Sequence, residues 1–569
     1  MWREVVFIWL LFMLALPLES QEADNVKFMM NLLAKDAEEL SEDEILHYSE
    51  LLKRPLRLNS ATAAQMQESG LMTRYQAVSI IDYRSRSGQI LSFTELAALD
   101  GFSDEFIQKI RPFLSLECVT EINGRQSHEI TGRTSLRSTS EQTRYGYASR
   151  YKFNYGERLS LSLASSRSLD ASSTVPDALS GSIDIRFRKM PLRLAAGDFN
   201  ARFGQGLALW SGADFSSLND PSAYLRRSSG ITSSSSFTGN NILTGGAAEL
   251  DLNRFCISAF LAFPGIKSIK SKPDKLSAMP ACNVTWLWKY GQAGITHYAE
   301  FKGLASGQAA HIPNMKTSID FSACFKGVDL FSEFMHDWVH AKLSALAGTA
   351  FPLCESADMA AMIRSSRGEH MFAISSSYDA RKRLKGSIAA NVILYSEPKA
   401  DTQDRSLQLK FHTQWQYALS DSFAIKLRIT ERVRSWGEKF RTDVRSDFSW
   451  QHEAFSANIR FNILNCIDTS FLTYAEGGFK PDKFSIYLRL GLFYVDNWED
   501  RIYAYERDAP GCYNSPAFYG RGVWSSFYAS CKFSRWCRLY LRAGYTAYPF
   551  IAEKKPGKAE LRLQTAFSF

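Results

Sequence analysis

The stretch Leu407-Gln408-Leu409-Lys410-Phe411-His412-Thr413-Gln414-Trp415-Gln416-Tyr417 alternates bulky or apolar residues with polar ones at every step. A period of two puts Leu407, Leu409, Phe411, Thr413, Trp415 and Tyr417 on one face of a β-strand, with Gln408, Lys410, His412, Gln414 and Gln416 on the other. The pattern recurs. Phe423, Ile425, Leu427 and Ile429 alternate with Ala424, Lys426, Arg428 and Thr430, and Phe484, Ile486, Leu488, Leu490 and Leu492 alternate with Ser485, Tyr487, Arg489 and Gly491. Turn signals such as Tyr155-Gly156-Glu157 and Lys480-Pro481-Asp482 separate such runs. Strands of about ten residues, apolar on one side and charged on the other, are the pattern of a transmembrane β-barrel. A soluble sandwich also alternates, but it has no use for so many Arg and Lys on the sheltered face of long strands. The 39 Phe, 24 Tyr and 12 Trp suit a lipid-facing band with aromatic girdles.

The chain ends in the same register. Leu561, Leu563, Thr565, Phe567 and Phe569 share one face, and Glu560, Arg562, Gln564, Ala566 and Ser568 the other. A terminal Phe closing an alternating strand resembles the signal by which outer-membrane barrels are recognised for assembly. It implies the Gram-negative outer membrane as location, with its lipid and the barrel assembly machinery as partners. Residues 127–569 are long enough for about 22 to 26 strands.

Two stretches interrupt the alternation. Gly197-Asp198-Phe199-Asn200-Ala201-Arg202-Phe203-Gly204-Gln205-Gly206-Leu207-Ala208-Leu209-Trp210-Ser211-Gly212 leads into a polar segment with Arg226, Arg227 and the serine run 233–236. Two readings fit it: a loop folded inward to constrict the lumen, or a bent strand with a long outer loop. The second interruption runs from Arg501-Ile502-Tyr503-Ala504-Tyr505-Glu506-Arg507-Asp508 to Pro516-Ala517-Phe518-Tyr519-Gly520-Arg521-Gly522.

Ahead of the barrel the period is helical. Residues 1–20 read as a signal peptide, with Arg3, an apolar run over 5–16 and Ser20 before a cut ahead of Gln21. A helical lead-in, residues 21–54, holds two amphipathic stretches over 26–39 and 43–54, the second opened by a Ser41–Glu44 capping box. Asp36, Glu38, Glu39, Glu42, Asp43 and Glu44 crowd their junction and are expected to form a solvated corner. Residues 55–118 then give four short helices in two pairs, each pair turning at a glycine, Gly70 or Gly101. Thr62 with Gln65 and Ser92 with Glu95 mark capping boxes. Met66, Ala77, Val78, Ile80, Ile81, Tyr83, Leu96, Leu99, Phe106, Ile107, Ile110 and Phe113 form the apolar faces. The fold class is therefore α + β and multidomain: a small all-α domain followed by a large antiparallel transmembrane β-barrel.

Leu58-Asn59-Ser60-Ala61-Thr62, Gly70-Leu71-Met72, Ile80-Ile81-Asp82-Tyr83-Arg84, Ser92-Phe93-Thr94-Glu95-Leu96 and Gly101-Phe102-Ser103 together resemble the double helix-hairpin-helix domain of ComEA-like DNA-uptake proteins. With the interruptions of the strand pattern, the whole chain resembles outer-membrane barrels that carry such a domain at the N-terminus. The resemblance implies a nucleic-acid interface in which a Gly-hydrophobic-Gly turn leaves backbone N–H groups free for the phosphate backbone of double-stranded DNA. Carried over, the interface is Gly70, Leu71 and Met72 with Gly101, Phe102 and Ser103, and charge comes from Arg74, Arg84, Arg86, Lys109 and Arg111. The sequence departs from that pattern twice. Met72 and Ser103 stand where a second glycine is expected, and Asp104 and Glu105 in the first turn of the next helix suit the helix dipole while repelling a phosphate.

Charge is unevenly divided. The net +8 splits into −1 over residues 1–20, −6 over residues 21–117 and +15 beyond them, so the hairpin domain is acidic and the barrel basic. Positive charge drives nucleic-acid affinity through counterion release, which makes an acidic module a weak unaided binder. Nine scattered cysteines without a CxxC give no disulfide framework, and Cys531 and Cys537 are assigned no bond. On a continuous strand His336 and His340 would lie about 13 Å apart on one face, too far to share a metal. No GxSxG, HExxH, Walker or Rossmann pattern occurs in context. A non-enzymatic role without cofactor or metal follows. The periplasmic hairpin domain either catches DNA during uptake through the barrel, or plugs the barrel or docks a periplasmic protein partner while the barrel serves as a channel or structural element.

Overall fold

The computed structural model describes residues 25–569 except 34, 100, 118–125, 157, 172–175, 188–189, 212–217, 237–241, 253, 264–276, 289, 304–310, 381–382, 400–404, 439, 482 and 552–555. The signal-peptide assignment and Cys118 lie outside the described residues. Six α-helices precede the barrel among these residues: α1 (Asn25–Leu33), α2 (Glu42–Lys53), α3 (Ala63–Glu68), α4 (Arg74–Ser87), α5 (Phe93–Ala97) and α6 (Asp104–Ile110). The first stretch is shorter than its periodicity suggests. It ends at Leu33, and Ala37–Glu39 forms a separate 3-10 turn capped by Asp36.

Side-chain caps fix the helix starts. Thr62 and Gln65 form the capping box of α3, Ser41 and Glu44 that of α2, and Thr73 and Gln76 do the same at α4. At α5 only half the expected box forms: Ser92 accepts from the Glu95 backbone N–H, while the Glu95 carboxylate accepts from Leu91 N at 3.0 Å. Ser103, at the position of the missing glycine, caps α6 by accepting from Phe106 N. Met29, Leu32, Leu58, Met66, Leu71, Met72, Ala77, Ile80, Leu96, Ile110 and Phe113 make one apolar core for the whole helical domain. The lead-in helices are therefore part of the same body as the hairpins. Gly101, at φ +87°, has no room for a Cβ, which would lie 2.7 Å from the Tyr75 ring.

Among the described residues, twenty-four antiparallel strands, from Gln126–Thr139 to Lys558–Ser568, form a closed barrel, inside the range set by chain length. The last strand closes on the first through pairs such as Leu561–Leu136 and Phe567–Ile130. The faces follow the sequence parity. Leu488, Leu490 and Leu492 are 48%, 57% and 42% exposed on the outside, whereas Arg489 between them is 4% exposed inside. A continuous outward apolar surface on strands of this length matches a bilayer core, and no described helix is long and apolar enough to cross one.

The two ends differ. Where the first barrel strand begins and the last one ends, strands are joined by short turns, as between Leu252 and Phe255, Phe325 and Val328, or His452 and Phe455. The opposite end carries the long connections, between Arg202 and Leu243 and between Val495 and Gly520. Both sequence interruptions are these connections, and both turn into the lumen. In the first, Arg202 bridges back to Trp210, the short strand Gly230–Ser233 pairs with Phe199–Arg202, and Leu207 and Tyr224 pack against the wall residues Phe331, Met335 and Met362. The inward reading of that stretch is the one observed.

Candidate functional site

The helical domain stands inside the barrel, entered from the end with short turns, and touches the wall around much of its circumference. Glu50 of α2 pairs with Lys152. Glu68 at the end of α3 takes Arg193 at 2.8 Å and also Arg186. Arg74 at the start of α4 reaches Asp251 at 2.8 Å, and Tyr75 donates to Asp329 at 3.3 Å. Asp36 meets Arg428 at 2.5 Å and Lys426 at 3.4 Å, while Glu38 takes Arg460 at 2.8 Å and Arg445 at 3.3 Å. These partners sit on lumen-facing positions of strands far apart in the wall.

The carboxylate cluster at the lead-in junction is thus not the solvated corner expected of it. Asp36 and Glu38 are the tip of the domain, driven into a basic wall, and Glu44 pairs internally with Lys35 at 2.6 Å. The side chains of Glu42 and Asp43 lie outside the described residues. Burial alone would raise the Asp36 carboxyl, but Arg428, Lys426 and Arg445 together hold it well below the usual carboxylate range. Glu38 is likewise lowered, its burial outweighed by Arg445 and Arg460. Glu50 is brought down to about 2, burial being overcome chiefly by Lys152.

Both inturned loops touch the same domain. Gln67 donates to the Ser228 carbonyl at 3.1 Å, and the Arg227 guanidinium lies 4.8 Å from the centre of the Phe106 ring. From the other loop, Tyr513 donates to the Glu38 carbonyl and Tyr505 N to the Glu38 carboxylate at 3.3 Å. That loop is itself anchored by Glu506 on Arg542, Asp508 on Arg562, and Arg507 on Glu476 at 3.0 Å. The first loop hangs on one wall carboxylate: Glu333, 0% exposed, accepts from the backbone N–H groups of Gln205, Leu207 and Ala208 at 2.8, 3.0 and 3.2 Å.

The residues that the resemblance assigned to DNA fall into two groups. In the first hairpin, Gly70 adopts φ +66°, Leu71 and Met72 are fully buried in the domain core, and Arg74 is 1% exposed, bound to Gln67 at 2.7 Å and to Asp251. Arg84 is turned inward, donating to the Leu58 and Ala61 carbonyls at 3.1 and 2.6 Å. The others are more open. Arg86 is exposed and pairs with Asp82 at 2.9 Å, Ser103 is exposed, Arg111 is exposed over the Phe93 ring at 5.2 Å, and Gly101, Phe102 and Lys109 are half-buried. No group of three or more His, Cys, Asp or Glu suited to a metal occurs among the described residues. His340 is not on a strand, since the chain turns after Asp337, whose carboxylate holds the His340 ring at 3.1 Å. None of the eight described cysteines forms a disulfide, and Cys512 is buried in the second inturned loop, 3.5 Å from the Gln564 amide oxygen.

Residues 53–115 match the helix-hairpin-helix motif family. No curated relative matches the sequence. Among solved structures, the chain is similar to the siderophore receptor PirA from Pseudomonas aeruginosa, at 9% identity over 78% of this chain and 80% of that one, TM-score 0.41. It is also similar to the receptor PirA from Acinetobacter baumannii, at 7% identity over 79% and 81%, TM-score 0.41. The ferric yersiniabactin uptake receptor FyuA from Yersinia pestis gives 9% over 79% and 81%, TM-score 0.39. The protein is a closed antiparallel β-barrel with an N-terminal helix-hairpin-helix domain.

Proposed function

We propose that this barrel is a gated conduit across the outer membrane and that its helix-hairpin-helix domain is the gate. The reading rests on one observation: charged groups along the lead-in and the first hairpin, from Asp36 to Arg74, are paired with lumenal residues on separated wall strands. A body held in this way blocks the lumen until those pairs are exchanged for others. Charges on the wall and the domain are opposite in sum, so docking is favourable when the domain is in place. The end with the short turns faces the periplasm, and the long loops face outward, in the arrangement usual for such barrels. The test is leakage of a small hydrophilic antibiotic into cells carrying the intact chain or one with Asp36→Asn and Glu38→Gln. Faster entry with the barrel still assembled supports the gate. Equal entry refutes it.

A second reading keeps DNA as the cargo, with the exposed end of α4 and the second hairpin as its contact. It is favoured by the family match over 53–115 and by the exposure of Ser103, Arg86 and Arg111. Full-length protein in detergent should then shift duplex DNA in a salt-sensitive way, and Arg86→Ala with Arg111→Ala should weaken the shift uniformly across sequences. A shift that is absent, or unaltered by those substitutions, removes this reading.

A further inference from the structure

We propose that Lys410, Arg432 and Arg441 form an oxyanion site on the lumenal wall, toward the long-loop end, for a small anion carrying several linked phosphate groups. Three adjacent strands bring these residues into one row, because Lys410 is registered directly against Arg432 and Arg432 against Arg441. Arg432 lies on the same face as Lys426 and Arg428 by strand parity, and those two reach Asp36 inside the lumen.

Like charges directly opposite one another on neighbouring strands are unfavourable, more so in a sheltered lumen than in water. Elsewhere on these strands the wall arginines are neutralised. Arg428 has Asp36 and Asp443, while Arg445 and Arg460 share Asp447 and Glu38. The upper row has no hydrogen bond or ion pair to a carboxylate among the described residues; Glu39 and Asp36 act on Lys410, and Glu499 on Arg432, only at longer range. Lys410 reaches only the Asn219 side-chain oxygen at 3.5 Å. Arg441 donates to two backbone carbonyls, of Glu499 and, at 3.2 Å, of Arg501. Arg432 makes no hydrogen bond or ion pair with any described residue, and its Nε is buried and unpartnered. Arg434 beside it is bound to the uncharged Gln408 at 2.9 Å and lies over the Trp436 ring at 5.5 Å.

Two guanidinium forks and an ammonium spaced by neighbouring strands, about 4.8 Å apart, match oxyanion groups linked in series. One carboxylate cannot reach all three cations.

Inorganic tripolyphosphate is the probe, titrated calorimetrically into the full-length protein in detergent at low salt, with citrate as comparator. Binding is expected, weakening as salt rises, at least tenfold weaker in the Arg432→Gln, Arg441→Gln double variant and unchanged in Arg137→Gln, whose arginine pairs with Glu560 at 3.0 Å. Tripolyphosphate should raise the melting temperature of the parent protein and leave that of the double variant unmoved, which separates loss of the site from loss of fold. No binding at millimolar probe, equal affinity in the double variant, or equal affinity for citrate overturns the proposal.

Discussion

Arg74 donates to Asp251 at 2.8 Å across the boundary between the helical domain and the barrel wall, and only 1% of Arg74 is exposed. The guanidinium at the start of α4, where a helix-hairpin-helix turn would present charge to a phosphate, is committed to the barrel. Removing either partner leaves a sheltered charge without compensation, so Arg74→Ala should weaken docking by about 3 kcal/mol. The Arg74→Ala, Asp251→Ala pair should cost much less than the sum of the single changes. Thermal unfolding of the four proteins of this cycle measures the coupling, and additive effects would mean that the contact contributes nothing.

The tip contacts set a pH dependence. Asp36 and Glu38 are lowered in the docked state, so their contribution is complete above the ordinary carboxyl range, about pH 4 to 4.5, and is lost as pH falls through the lowered values. Protection of the helical domain from added protease should be flat between about pH 5 and 8 and decline only in stronger acid. A decline between pH 7 and 5 would point to a histidine rather than to this pair.

Glu333 holds the first inturned loop through three backbone N–H groups. Glu333→Gln puts an amide NH2 against donors and removes the charge, which should cost about 1.5 to 3 kcal/mol and free the loop. Limited proteolysis should then cut near Gly204–Gly206 in the variant and not in the parent protein.

Gly197 sits at φ +94°, and a Cβ there would lie 2.0 Å from the Gly181 carbonyl oxygen on the next strand. Backbone cannot give way as a side chain can, so Gly197→Ala should prevent strand Leu192–Arg202 from seating and abolish the heat-modifiable band of the folded barrel on a gel. Gly437→Ala, in open space but also at positive φ (+56°), should retain that band.

The wall was legible in the sequence because membrane exposure enforces strict alternation. The faces read for 407–417, 423–430, 484–492 and the last strand agree with the exposed Phe411, Leu427, Leu490 and Leu563. Caps at Thr62 and Ser41, and the glycines at 70 and 101, made the hairpins readable for equally local reasons. The docking was not readable. Asp36 and Arg428 are 392 positions apart, and no local pattern distinguishes a carboxylate bound for a distant arginine from one facing water. The split of charge between the domains pointed to mutual attraction without naming partners. The fate of Arg74 depended on where α4 meets the wall. His340 falls in the turn after the strand that ends at Asp337, so the spacing of a continuous strand does not apply to it.

Single-channel conductance in planar bilayers bears most directly on the claim that the helical domain closes the lumen. The intact chain should conduct little, and a chain lacking residues 25–117, verified as folded by heat-modifiable migration, should open a stable pore several-fold more conductive. Equal conductance from the two proteins would contradict the account.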